Sequence, residues 1–478
     1  MSAAAAAPAD AAGLRASVAR ILPQAWPVFI GQLAVLGMGT VDTVLVARHS
    51  PTDLAALAVG GATYITVFVG LMGLVMAVSP IVGQAFGAQR LRECGHQAWQ
   101  ALWLALGAAL LGCTLLVFPG PFLALAQATP AVAEKVRGYL LALAWALPAS
   151  LLFTVFRGFN VAVSRPKAVM GLQLGGFALK LPLSLLLVAG SPALGVPALG
   201  VVGGGIATAL VMWGQLLLAA VLLARDPFYQ RFALGAPGQR APHGPSLRAL
   251  LRLGVPMGLG ILVEVTGFAF MAIFISRLGE TAVAGHQLAA NLVSLLFMMP
   301  LALSNAASAL VAQRIGAGDL RDARRLGWHA LQFTGTLALA VGGAVYLARE
   351  QVLRLYTDNP AVVAAALPLL GWVALFHAAD AVQALAAFVL RAWRVATLPM
   401  VIYVLALWGL GLGGGYALAF NLGGAVPPDW QGARGFWIAS TTGLTLAAAA
   451  LAGLLGWVLS RQRARAAAAL SAAAGSAG

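Results

Sequence analysis

Twelve runs of apolar residues, each long enough to cross a bilayer as a helix, limit what this chain can fold into more than any other feature. A helix rises ~1.5 Å per residue, so about 20 apolar residues span the hydrocarbon core. The runs lie near 25–47, 55–82, 98–120, 138–162, 168–190, 199–224, 251–276, 283–311, 328–348, 362–390, 396–420 and 434–459. The short alternating segments of a membrane barrel are absent. Glycine and proline recur inside the runs, which lipid-embedded helices tolerate when neighbours satisfy the backbone.

Composition supports the same reading. Charged residues make up 9% of the 478 positions and mean hydropathy is +0.90. A soluble chain carries about 25% charge, so a soluble multidomain enzyme is excluded. The net charge of +15 does not point to a nucleic-acid partner. The basic residues sit in short links between apolar runs, without the interleaved aromatic and polar residues of a nucleic-acid groove. With the amino terminus in the cytoplasm, 21 Lys and Arg residues fall on the cytoplasmic side and 7 on the other, with Lys180 inside a span. That bias predicts an integral multi-pass protein of the bacterial cytoplasmic membrane, both termini cytoplasmic. Cys94 and Cys113 have no metal or redox spacing, and no structural disulfide is expected. No basic stretch precedes a short apolar core and cleavage site, so no removable signal peptide is expected. Residues 1–15 and 464–478 read as frayed tails.

An internal repeat organises the spans. Positions 27–101 align with 256–330 without a gap, and 18 of these 75 positions are identical. The informative matches are rarer residue types: Pro27 with Pro256, Arg48 with Arg277, Gln84 with Gln313, Arg92 with Arg321, and Trp99 with Trp328. Each half holds six spans, so both halves start on the same side of the membrane. The expected fold is an all-α membrane protein of twelve helices, in two pseudo-symmetric six-helix bundles around a central cleft. The expected division is a tail (1–20), a first lobe (21–226), a proline-rich linker (227–247), a second lobe (248–460) and a tail (461–478). Two fused bundles that rock against one another suit a carrier better than a pore.

Ionisable residues at lipid depth each cost about 2.5–3.5 kcal/mol on insertion scales, so each needs a reason. Four stand out: Asp42, Lys180, Glu264 and Asp380. Carboxylates in such positions suit the binding of a coupling cation or the exchange of a proton, and Glu264 and Asp380 lie in one half. Alternatively each acid bonds only to backbone or to a basic neighbour. Lys180 shares a half with Asp42, either as its structural partner or as one arm of a switch. His377 and Gln383 lie one turn either side of Asp380, placed to tune it or to make interhelical bonds. His286, Gln287 and Asn291 cluster early in span eight, followed by Phe297, Met298 and Met299, a combination that suits an adaptable apolar pocket or plain packing. There is no Walker sequence, HExxH or nucleophile elbow, so neither direct ATP drive nor an enzyme is expected.

The motifs together resemble the multidrug and toxic compound extrusion (MATE) family, in its NorM-like subgroup. They are Val41-Asp42-Thr43 with Thr52-Asp53-Leu54-Ala55-Ala56, Pro80-Ile81-Val82-Gly83-Gln84 with Gly87-Ala88, and Phe156-Arg157-Gly158 with Arg165-Pro166-Lys167. Further on come Gly200 to Thr208, Pro256 with Glu264, Ala284-Gly285-His286-Gln287, and Phe297-Met298-Met299-Pro300. The resemblance implies export of organic cations and amphipathic toxins in exchange for Na+ or H+ by alternating access. It implies Glu264 and Asp380 as the paired acids of the carboxy-terminal lobe, ligating Na+ if sodium is the coupling ion, and Asp42 as the acid of the amino-terminal lobe. No cofactor beyond the coupling ion is implied. The expected partners are a small organic cation or amphipathic drug and the lipid bilayer, with the chain acting as a monomer. One departure matters. Where the subgroup reads Asn-x-Pro-x-Asn in span five, this chain reads Lys180-Leu181-Pro182-Leu183-Ser184, and Val161 stands where an acid is usual. A lysine beside Asp42 repels sodium, so any role for that lobe would involve protons. The competing expectations are a flippase for lipid-linked substrates with the same architecture, and, further off, a membrane-embedded enzyme or channel.

Overall fold

The computed structural model describes residues 13–475, with side chains omitted at 125 and 462–475. Among the described residues the fold is helical, and the one β-type contact is a bridge between Ser191 and Val196. Twelve helices are long and apolar enough to cross a membrane. In chain order they are α1 (Leu14–His49), α2 (Pro51–Gly87), α3 (Leu91–Val117), α4 (Pro130–Ala162), α5 (Pro166–Ala189) and α6 (Gly200–Arg225). There follow α7 (Gly244–Ser276), α8 (Glu280–Gly316), α9 (Leu320–Leu347), α10 (Pro360–Ala392), α11 (Thr397–Ala419) and α12 (Ala433–Gly475). Each falls on one of the twelve apolar runs.

Local sequence explains where they start. Proline, which needs no hydrogen bond for its missing N–H, opens α2, α4, α5 and α10. Ser50 caps α2 by accepting from the Asp53 N–H, and Asn359 caps α10 by accepting from the Ala361 N–H. The carboxy-terminal residues 464–475, expected as tail, continue α12 to Gly475, as their alanine content favours. At the other end α1 begins at Leu14, inside the expected tail, and residues 1–12 and 476–478 lie outside the described residues. The middle of α11, Val404–Gly414, is wound as a π-helix. Four glycines in that stretch remove the side chains that would resist the wider turn.

The chain forms two compact units: Trp26–Leu262, and Met1–Ala25 together with Val263–Gly478. The division falls within α7 and early in α1, whereas the polar linker at 227–247 lies inside the first unit. Packing shows why. The start of α7 lies against α2, where Gly258 approaches the Gly70 carbonyl so closely that an added Cβ would sit 2.5 Å from its oxygen. The start of α1 is tied to α9: Arg20 pairs with Asp322 at 2.9 Å, and Ser17 bonds His329 at 2.8 Å. Arg314 and Arg325 also meet Asp322, at 3.1 and 2.7 Å.

The linker is held by side-chain hydrogen bonds as well as by Tyr229 and Phe232, which are buried against Phe86 and Phe159. Trp99 and Trp103 donate to the carbonyls of Leu234 and Arg240, and Gln100 donates to that of Ala241. Asp226 accepts from the Phe228 N–H and pairs with Arg165, and these two partners hold its carboxyl below the usual range. Both cysteines are free thiols.

Helices α5 and α6 meet at Gly203, where an added Cβ would lie 2.2 Å from the Leu187 carbonyl oxygen. That contact is backbone and has no flexible end to move. Gly203→Ala is therefore expected to force α5 from α6 and cost about 1–3 kcal/mol of stability. Gly214→Ala, on the same helix with open space around it, should leave the thermal midpoint in detergent unchanged. Equal midpoints for the two variants would contradict the close crossing.

Candidate functional site

The lipid-depth charges fall into two groups, one in each unit. In the first, Asp42 of α1, Lys180 and Ser184 of α5, and Gly204 and Thr208 of α6 converge. Lys180 Nζ lies 2.9 Å from Asp42 Oδ2 and donates to the Gly204 carbonyl at 2.9 Å and to Thr208 Oγ1 at 2.6 Å. Ser184 Oγ donates to Asp42 Oδ1 at 2.9 Å. Lys180 is 1% exposed and Asp42 6%. All three ammonium hydrogens therefore have oxygen partners, which is what a buried charge of this cost requires. Lys180 is thus the direct partner of Asp42.

Local helix geometry builds this cluster. Lys180 and Ser184 are four residues apart, as are Gly204 and Thr208, so each pair shares one helix face. Gly204 packs beside Asp42: a Cβ added there would lie 3.5 Å from Asp42 Oδ1, an ordinary contact distance.

The second group lies in the unit containing Val263–Gly478. Asp380, 3% exposed, accepts from Gln383 Nε2 at 2.8 Å. Glu264, half-buried on α7, lies within the electrostatic field of Asp380. Arg391 and Tyr403 complete the neighbourhood, each interacting with Glu264. The two acids singled out in this half thus lie within electrostatic range of each other.

Arg391, Tyr403 and Trp408 have no place in the sequence-level expectations. Arg391 counts there as a link residue, although it follows Asp380 by eleven positions, about three helical turns, and so shares its face. That spacing is the signal that would have found it. Trp408 donates from Nε1 to the Val263 carbonyl at 3.1 Å, next to Glu264. It sits in the π-helical segment of α11, whose wider turn begins directly after Tyr403.

The remaining candidates separate. His377 is fully buried with no protein partner on either ring nitrogen, so Gln383 but not His377 bonds Asp380. His286 is buried against Trp437, with ring centroids 5.9 Å apart. Gln287 and Asn291 lie on the exposed face of α8, and Gln287 Nε2 donates to Asn291 Oδ1 at 3.4 Å. Phe297 and Met298 are half-buried, and Met299 packs onto the core. Span eight thus presents a packed face and an open polar face rather than one cluster.

The described residues hold no group of three His, Cys, Asp or Glu able to form a multidentate metal centre. The acids with Tyr403 are hard oxygen donors, a set that suits hard ions rather than soft, thiolate-seeking ones.

Known proteins match this arrangement over most of its length. The MatE family pattern matches residues 27–186 and again 256–417, two copies that start 229 residues apart as the internal repeat does. A probable multidrug resistance protein NorM of Aromatoleum aromaticum is 41% identical over 440 residues, covering 92% of this chain and 93% of that protein. The multidrug resistance protein NorM of Aliivibrio fischeri is 34% identical over 448 residues, 92% and 95% of the two chains. Among solved structures, the eukaryotic MATE transporter AtDTX14 superposes with a TM-score of 0.82 at 20% identity, covering 92% of this chain and 96% of that one. The Vibrio cholerae MATE transporter VcmN gives 0.82 at 19% identity, with 94% and 98% coverage. Twelve membrane-length helices, a doubled family pattern and relatives matched along nearly their whole length place this chain in the MATE family of multidrug efflux transporters.

Proposed function

We propose that the protein exports organic cations or other amphipathic compounds from the cytoplasm in exchange for Na+ or H+ bound at Glu264 and Asp380. The observation that carries this reading is that a carboxylate of α7 and one of α10 lie within electrostatic range of each other in one apolar unit. Two like charges so placed repel each other, and a proton or a sodium ion relieves the repulsion. Occupancy of the site by the ion then sets which arrangement of the chain is favoured, because a ligand shifts a conformational equilibrium by its difference in affinity for the two states. Arg391 beside Glu264 offers an internal positive charge that satisfies the acid once the ion leaves.

The solute side is supported by the open face of α8. Gln287 and Asn291 would be costly against hydrocarbon, so that face suits water or a polar part of the cargo. Phe297 and Met298 nearby supply polarizable apolar surface for varied solutes. The excess of basic residues in alternate links supports a cytoplasmic-membrane protein with both termini inside.

The test is efflux of a cationic dye from vesicles containing the purified protein, with sodium and proton gradients imposed separately. The expected result is efflux driven by at least one inward-directed gradient and abolished when both are absent. Export at the same rate without either gradient would overturn the antiport reading.

A further inference from the structure

We infer that the ammonium of Lys180 is a tethered cation, occupying permanently a monovalent-cation cage in the first unit. The oxygen partners are of the kind a free cation would take. Asp42 Oδ2 lies at 2.9 Å, the Gly204 carbonyl at 2.9 Å and the Thr208 hydroxyl at 2.6 Å. One full charge, one carbonyl dipole and one hydroxyl converge on a single nitrogen, and the lysine is among the largest fully buried side chains of the chain. Ser184 closes the other side of the carboxylate by donating to Asp42 Oδ1 at 2.9 Å.

Three features make the arrangement a cage rather than a chance ion pair. The oxygens come from two helices, α1 and α6, while the cation enters from a third, α5. Helices α5 and α6 are locked together at Gly203, one residue before the carbonyl that accepts from Lys180. The Thr208 hydroxyl also donates to the same Gly204 carbonyl at 3.0 Å, so its lone pairs face the ammonium. Tyr139 is the other titratable group in the field of Asp42. It carries no charge near neutral pH, leaving Lys180 as the sole positive partner of Asp42 among the described residues.

A tethered ammonium cannot leave the chain, so this unit takes up and releases no metal cation during a transport cycle. The consequence rests on the antiport reading: any exchange of sodium is confined to the Glu264 and Asp380 group. The cage itself stands independently of that reading.

The experiment opens the cage and refills it. Lys180→Ala removes the three methylenes beyond Cβ and the ammonium, which together have the shape of n-propylammonium. Purified Lys180→Ala is expected to lose about 5 °C or more of its apparent Tm. The Tm should then climb with the logarithm of n-propylammonium concentration, as for a ligand that binds only the folded state. n-Propanol, which has the shape but no charge, should have no effect. Wild type, and Asp42→Asn/Lys180→Ala, should ignore the amine. If Lys180→Ala does not accumulate as folded protein, growth and extraction with the amine present should restore it, and failure of that rescue counts against the cage. Two further results would overturn the inference: equal stabilisation of wild type and variant by the amine, or wild-type Tm in Lys180→Ala without added cation. A third arm measures radioactive sodium on Glu264→Gln/Asp380→Asn, in which the cage is intact. No saturable binding is expected, and binding abolished by further adding Asp42→Asn would show an exchangeable ion in the first unit. Loss of coupling in the second unit leaves the amine arm unaffected, so the two readings fail separately.

Discussion

Glu264→Gln and Asp380→Asn are each expected to reduce ion-driven dye efflux about 10²-fold, the scale of a strong coupling free energy. Either change removes a charge that the ion must meet while conserving shape. Asp380→Asn keeps an oxygen able to accept from Gln383 Nε2, so the buried hydrogen bond at 2.8 Å survives and the helix packing with it. Glu264→Gln keeps the size and hydrogen-bonding oxygen of a half-buried side chain. Both variants should therefore fold, bind dye and reach the membrane, and lose only the dependence on the gradient. The measurement is initial efflux rate in vesicles under an imposed sodium or proton gradient, with dye binding measured alongside. Wild-type efflux from either variant would remove these acids from the coupling mechanism. Loss of dye binding in parallel would assign them to the cargo instead.

Asp42→Asn is expected to cost about 3–5 kcal/mol of stability, because it strands the Lys180 ammonium in a buried site without its counter-charge. The geometry makes the penalty hard to avoid. Lys180 is 1% exposed and its remaining oxygen partners, the Gly204 carbonyl and the Thr208 hydroxyl, are uncharged. Asp42→Asn/Lys180→Met removes both charges and fills similar volume, so most of the loss should return. Replacing a buried pair by apolar groups is often neutral or favourable, whereas removing one partner rarely is. The comparison is a thermal or denaturant midpoint for the wild type, both single variants and the double variant. If Asp42→Asn matches wild type, the ion pair contributes nothing and the cage is not maintained by charge. If the double variant is no more stable than Asp42→Asn, the cost lies in packing and not in the stranded ammonium.

The two groups differ in how much of them can be read from the chain. The acids announce themselves because a carboxylate inside an apolar run is expensive wherever it ends up. The same holds for Lys180. What hydropathy cannot supply is the direction each faces. His377 and Gln383 flank Asp380 at equal spacing, yet only Gln383 bonds to it. His286 and Gln287 are adjacent, and one is packed beneath Trp437 while the other is exposed.

By itself the sequence determined the number of spans, their helical form, the internal repeat and the four charges that must be satisfied at lipid depth. These follow from local quantities: the length of an apolar run, and the cost of burying one charge. Tertiary structure alone decided the partners. Ser184 reaches Asp42 across 142 residues. Arg391, Tyr403 and Trp408 come to Glu264 from helices whose sequence carries no mark of that meeting beyond a three-turn spacing. The division of the chain inside α7, rather than at the polar linker, was also decided there. The physical reason is the same throughout. Which faces of two helices meet depends on small residues and close backbone approaches distributed over the whole bundle, as at Gly203 and Gly258, and no single run of sequence encodes both sides of such a contact.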